Sequence, residues 1–190
     1  IAAEVGCRQS EIHDLPPEAF RLDDPIPHLL IRNEEAEIQA DGTRTGGRQI
    51  KNKHSDRKIV LIGQALEAAR RHPNGFQRYF GRGGAFSAAV NKHFRKSELF
   101  PKAAPGEKFT IGGTRHAFES RMKRAGLHSD DRGEMMGHSV QSARNRELYG
   151  DEMPLEVRAA IAKLISFGDA VSPVERKAAR RELARRGLFK

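Results

Sequence analysis

Three side chains in the stretch 114–149 are of the right kinds, in a suggestive order, to act on a phosphate. Arg115 stands in an Arg-His pair with His116, His138 follows Gly137, and Tyr149 comes 11 residues after His138. A guanidinium stays protonated and offers parallel N–H donors that match the non-bridging oxygens of a phosphate. An imidazole can move a proton or donate a hydrogen bond near neutral pH. A phenol attacks phosphorus well only when nearby positive charge or a base favours its phenolate, because its ordinary pKa is about 10. The chain has two tyrosines. Tyr79 lies between Phe76 and Phe80 in a segment that reads as core, whereas Tyr149 follows a polar, basic run, Ala143-Arg144-Asn145-Arg146-Glu147. A lone tyrosine after a helix is usually structural, and it is the ordered company of Arg115 and His138 that singles out Tyr149.

The totals agree with a polyanionic partner without proving one. The chain has 190 residues, enough for one good-sized domain, and a net charge of +9. Such a charge fits nucleic acid or simply a soluble basic surface. No apolar run approaches the roughly 20 residues that span a bilayer, and nothing resembles a signal peptide. The single cysteine, Cys7, excludes an internal disulfide and fits a reducing compartment. The chain opens at Ile1-Ala2-Ala3-Glu4 in what reads as a helix, so a fragment of a longer protein is expected.

The elements that must position the three residues read as mixed α+β, mainly helical, with a small antiparallel sheet or hairpin. In 1–15, Val5, Ile12 and Leu15 have rough helical spacing, Gly6 predicts a break between two short helices, and Pro16-Pro17 ends the pattern. Residues 27–62 read as β structure: an apolar run at 28–33, then 48–54 and 56–62 as a hairpin turning near His54-Ser55-Asp56. A helix is predicted over 63–72, closed by Pro73-Asn74-Gly75, and another over 85–100 with Phe86, Val90 and Phe94 on one face. Gly81-Arg82-Gly83-Gly84 lacks the lysine and flanking strand of a phosphate loop.

Thr114–Gly126 predicts a helix with Ala117, Phe118 and Met122 packing inward. Ser129 reads as the N-cap of the next, with Asp130 and Asp131 in its first turn, and that helix should end at Gly137-His138. A third helix would carry Tyr149. Residues 154–167 form an amphipathic helix opened by Pro154, with Leu155, Ile161 and Ile165 inward. Ser172-Pro173-Val174-Glu175 is a capping box with proline at the first helical position, opening a basic helix that Gly187 closes. That helix has three readings: contact with DNA phosphates, packing on a neighbouring subunit, or a solvated end.

Taken in order, these boxes resemble the tyrosine recombinases, the phage-integrase family. The resemblance spans 5–167 and implies a catalytic domain over 1–168 with a basic helical tail over 169–190, the family's N-terminal core-binding domain being absent. It places a first catalytic arginine at Arg8, in Gly6-Cys7-Arg8-Gln9-Ser10-Glu11, and a hairpin lysine at Lys51, with Lys53 as the second choice, ahead of the strand Ile59-Val60-Leu61. It implies the set Arg8, Lys51, Arg115, His138 and Tyr149: two guanidiniums clamp the phosphate, Tyr149 attacks to leave a 3′-phosphotyrosyl bond, and Lys51 gives a proton to the departing 5′-oxygen. The bond energy stays in the covalent intermediate, so no ATP, metal or other cofactor is implied. The implied partners are double-stranded attachment-site DNA and further copies of the chain, as a tetramer on DNA, in the cytoplasm of a bacterial or phage-infected cell, with no membrane association.

Two features depart from the family pattern. Gly112 stands three residues before Arg115, where the family usually has histidine, and the interval from His138 to Tyr149 is slightly long. The first leaves open a degenerate domain that binds DNA without cutting it. A type IB topoisomerase-like enzyme shares the chemistry and is a third reading, disfavoured by the short chain and the Gly-His pair.

Overall fold

The computed structural model describes residues 1–32, 37–38, 44–45, 56–96, 103–138 and 152–189. Its architecture is mixed α+β and mainly helical, with a three-stranded antiparallel sheet. The N-terminal segment forms two one-turn helices, α1 (Ala2–Val5) and α2 (Ser10–His13), separated at Gly6, which takes the left-handed conformation at φ 64°. A 3-10 turn at Pro17–Ala19 leads into β1 (Phe20–Arg21). β2 (His28–Ile31) follows, then the two-residue strands β3 (Glu37–Ile38) and β4 (Arg44–Thr45), which pair with each other, and β5 (Arg57–Val60). The sheet order is β1-β2-β5, with Phe20 opposite Leu29 and Ile31 opposite Arg57. β5 therefore pairs with β2, and the hairpin partner expected at 48–54 lies outside the described residues.

The helices come next: α3 (Gly63–Arg71), α4 (Gly83–Lys96), α5 (Ile111–Arg124), α6 (Ser129–Met136), α7 (Leu155–Ile165) and α8 (Pro173–Arg185). Among the described residues, two apolar clusters form the core. One joins α1, α2, the sheet and α3 through Val5, Ile12, Leu15, Leu29, Ile31, Ile59, Leu61, Ala65 and Ala69. The other joins α5 to α8 through residues such as Phe118, Met122, Met136, Ile161 and Leu183. Gly6 links the two, because a Cβ there would fall on the Phe118 ring. Gly6→Ala is therefore expected to lower stability by about 3 kcal/mol, combining a left-handed backbone with overpacking. A chemical-denaturation midpoint unchanged from wild type would contradict that contact.

Several local expectations shift. α5 begins three residues before Thr114, because Thr110 caps it by accepting a hydrogen bond from Gly113 N at 3.1 Å. Ala117 is exposed on that helix, while Phe118 and Met122 are buried. Ser129 is the first residue of α6 and His128 precedes it as the cap; the Ser129 hydroxyl donates to Asp130 instead. Phe80 is 57% exposed and does not join the core, Phe76 is partly buried against it, and Tyr79 meets Phe86 edge-on at 5.3 Å.

The capping box at Ser172 is formed as the sequence predicts: Ser172 Oγ accepts from Glu175 N at 3.2 Å, and Glu175 Oε2 accepts from Ser172 N at 3.0 Å. The basic helix it opens is not merely solvated. Leu183 and Leu188 are fully buried in the second cluster. Arg176 donates to the carbonyls of Ser166, Gly168 and Val171, closing the C-terminal end of α7. Part of the positive charge in 169–190 is thus spent on orphaned helix carbonyls rather than offered to a polyanion. Among the described residues, no helix is long and apolar enough to cross a membrane.

Candidate active site

Three of the five candidate residues belong to the described part of the chain, and the fold brings them into one electrostatic cluster. Arg8 sits in the break between α1 and α2, Arg115 in the early turns of α5, and His138 just past α6. Lys51, its alternative Lys53, and Tyr149 lie outside the described residues.

Arg115 ties the three segments together. Its Nη1 donates to Gly6 O at 2.7 Å, and its Nη2 donates to Met136 O at 2.6 Å and to His138 Nε2 at 3.1 Å. Gly137 ends α6 in the left-handed conformation, φ 65°, which swings His138 out of the helix; His138 N is held by Gly133 O at 2.9 Å. The guanidinium has five N–H donors, and these bonds among the described residues use three of them. Burial and the neighbouring Arg8 cation lower the Arg115 pKa to about 10, which leaves it charged at neutral pH.

The bond to Arg115 fixes the state of His138. A guanidinium cannot accept a hydrogen bond, so His138 Nε2 must be the acceptor and any ring proton sits on Nδ1. Burial, then the Arg115 and Arg8 cations, push the imidazole pKa below its ordinary value. The neutral Nδ1–H form therefore prevails at pH 7. In that form the Nε2 lone pair is taken by Arg115, and Nδ1–H is the ring's donor.

Arg8 is anchored by Glu11, one turn further on. Glu11 Oε2 accepts from Arg8 N at 2.7 Å, and Oε1 accepts from Arg8 Nη1 at 2.8 Å. The same carboxylate receives Arg57 from the other side, with Nη1 at 3.0 Å and Nη2 at 2.8 Å. Glu11 and Arg57 are each 3% exposed. Burial alone would raise the Glu11 carboxyl, but hydrogen bonds and charge from Arg57 and then Arg8 prevail and bring it down to about 2. Cys7, between Gly6 and Arg8, is fully buried, and burial beside the Glu11 charge pushes its thiol up to about 12, which makes it inert as a nucleophile.

Glu11 and Arg57 are not in the set that the sequence nominates. The signal for Arg57 is the strand period: Arg57, Ile59 and Leu61 alternate along β5 and its extension, and all three are buried. A charged residue in register with an inward apolar face implies an interior partner. Arg158 follows the same logic on α7, 1% exposed, with Nη2 donating to Glu134 Oε1 at 2.8 Å and Nη1 to Glu134 O at 3.2 Å. It braces the end of α6 from which His138 emerges.

Gly112 leaves open space. Among the described residues an added Cβ would meet Thr110 Oγ1 alone, at 3.8 Å, and Thr110 Oγ1 is already engaged in capping α5. His116 is exposed on α5. Among the described residues, no group of three or more histidine, cysteine, aspartate or glutamate side chains could hold a metal ion. The arrangement is an arginine-rich cluster, Arg8, Arg57 and Arg115 with the carboxylates of Glu11 and Glu119 acting on it, and such a cluster suits an oxyanion. Comparison with family models, with curated proteins and with solved structures finds no match to this chain.

Proposed function

We propose that the chain is the catalytic domain of a tyrosine recombinase, which cuts and rejoins DNA strands at specific sites through a 3′-phosphotyrosyl intermediate. The observation that carries this reading is the Arg115–His138 hydrogen bond, made within the field of the Arg8 and Arg57 cations. Such a cluster is preorganised for the charge that builds on the non-bridging oxygens of a phosphodiester under attack.

The steps follow from the residues. Arg8 and Arg115 bind the scissile phosphate, and His138 Nδ1–H donates a further hydrogen bond. The Tyr149 oxygen attacks phosphorus and loses its proton to solvent or a base; a P–O(Tyr) bond forms as the P–O5′ bond breaks. The departing 5′-oxygen takes a proton from Lys51. Attack by a 5′-hydroxyl on the phosphotyrosine reverses each step and rejoins a strand. Double-stranded DNA is the substrate, and a tetramer of the chain on two duplexes is the working assembly.

The test is covalent trapping on a library of nicked duplexes of randomised sequence, resolved on a denaturing gel. An adduct that is retained in Tyr79→Phe and lost in Tyr149→Phe supports the reading; one that survives Tyr149→Phe overturns it. Relaxation of a supercoiled plasmid lacking any selected site would shift the reading to a topoisomerase-like enzyme.

Gly112 favours a second reading, a domain that binds DNA and cuts poorly. The open space at that position turns it into a measurement. Gly112→His is expected to fold normally and to raise the adduct rate about tenfold, the value of one added charge-directed hydrogen bond. No gain in rate would show that the site does not lack a donor there.

A further inference from the structure

We propose that Arg158 is a positioning residue for the reaction: with Glu134 it locks the last turn of α6 to the start of α7, and so fixes both the turn that presents His138 and the point at which the chain returns after Tyr149. The inference rests on the reading of Arg115, His138 and Tyr149 as a phosphoryl-transfer set, and Arg158 acts through the backbone rather than on the phosphate.

Arg158 is 1% exposed on the buried face of α7, and each of its three guanidinium nitrogens is bonded. Nε donates to Met153 O at 3.2 Å, Nη1 to Glu134 O at 3.2 Å and Nη2 to Glu134 Oε1 at 2.8 Å. Glu134 Oε1 also accepts from Met153 N at 3.4 Å. Glu152 is a more distant carboxylate, 3.8 Å from Nη2. Burial opposes the Arg158 cation most and Arg57 adds to that, while Glu134 and Glu152 favour it. A guanidinium is costly to bury. What it does here that an apolar side chain could not is bond two backbone carbonyls and a carboxylate at once.

The two carbonyls stand at the two ends of one stretch of chain. Glu134 O also accepts from Gly137 N at 3.2 Å, the bond that closes α6 just before His138. Met136, in the same turn, gives its carbonyl to Arg115 Nη2. A shift of this turn therefore moves His138 and loosens Arg115 together. Met153 is 2% exposed and lies just ahead of α7. Tyr149 lies between His138 and Glu152 in the sequence, so Arg158 joins the points where its chain leaves and rejoins the described fold. A displacement of about 1 Å at a reacting group can cost ~100-fold in rate even when its cause is far from the chemistry.

The test compares wild type with Arg158→Lys, Arg158→Met and the double variant Arg158→Met/Glu134→Leu, each checked by circular dichroism and urea denaturation. The readouts are the rate of covalent attachment at saturating nicked DNA, the dissociation constant for that DNA, and the His138 ring nitrogen resonances in the protein without DNA. Arg158→Met is expected to slow attachment about 30- to 100-fold. Its dissociation constant should stay within about threefold of wild type, because DNA affinity is spread over many phosphate contacts. Its His138 Nε2 resonance should shift toward that of an unbonded lone pair. Arg158→Lys keeps the charge without the fork and is expected to fall between wild type and Arg158→Met. The double variant replaces the ion pair by apolar side chains, and should regain stability without regaining the rate, since neither carbonyl recovers its donor. A rate that recovers with stability in the double variant would overturn the proposal, and so would a wild-type rate or wild-type His138 resonances in folded Arg158→Met. If Arg158→Met does not fold, Arg158→Lys and the double variant are each compared with wild type, and a wild-type rate in either overturns it. Shifted His138 resonances in the variants with no DNA adduct in wild type would overturn the recombinase reading and leave the hold of Arg158 on this turn standing.

Discussion

Replacing Arg115 by alanine is expected to slow covalent attachment to DNA by about 100- to 1,000-fold, the usual cost of deleting one preorganised donor from an oxyanion site. The structure suggests a compound effect. The guanidinium holds Gly6 O, Met136 O and His138 Nε2 together, so its loss releases the loop that carries Arg8 and the turn that carries His138. Arg115→Lys keeps one charge but cannot reach two carbonyls and an imidazole at once, so it should recover only a small part of the rate. With the Nε2 bond gone, the His138 pKa should rise toward its ordinary value, because burial and the Arg115 cation are the leading causes of its depression. The acid limb of the pH–rate profile in Arg115→Ala should therefore move upward in pH. Adduct formation within a factor of two of wild type in Arg115→Ala would show that the phosphate is held elsewhere.

Glu11→Ala is expected to cost about 3–5 kcal/mol of stability, because it removes the buried carboxylate that both Arg57 and Arg8 bond. Glu11→Gln, which keeps an acceptor oxygen, should cost less. The pH dependence has a definite sign. The Glu11 carboxyl lies at about 2 in the fold against an ordinary 4.5, so on acidification the unfolded chain takes up this proton first. The stabilisation is fully present above about 4.5 and fades as pH falls toward 2. Urea-denaturation midpoints should drop across that window in wild type and drop less in Glu11→Gln. Equal slopes in the two proteins would mean that the Glu11–Arg57 pair does not stabilise the fold.

Much of the local structure follows from the sequence because it is set by local chemistry. The break at Gly6, the end of α6 at Gly137 and the capping box at Ser172 each depend on one or two residues whose preferences are strong. The start of α5 is less legible in the sequence. Two glycines in its first turn, Gly112 and Gly113, weaken the helical pattern, and the Thr110 cap outweighs them. Phe80 reads as core by composition, but the chain turns at Gly81 and leaves it on the surface. The position of Arg115 beside Arg8 depends on long-range packing between α1 and α5, and no spacing in the sequence specifies it. Arg57 and Glu11 are 46 residues apart, and their pairing exists only because β5 joins the sheet beside β2 and α2 packs on the same core. Arg57 in period with Ile59 and Leu61 announces an inward charge but not its partner.

Identifying the protein atom bound to DNA tests the account most directly. Trapped complexes would be digested with trypsin and nuclease, and the nucleotide-bearing peptide sequenced by mass spectrometry. The account predicts a phosphodiester on Tyr149, in the peptide that runs from Glu147 to Arg158, with the phosphate at the 3′ end of the cut strand. A nucleotide on Tyr79, in the peptide from Tyr79 to Arg82, or on any serine, or a 5′-linked phosphate, would contradict it.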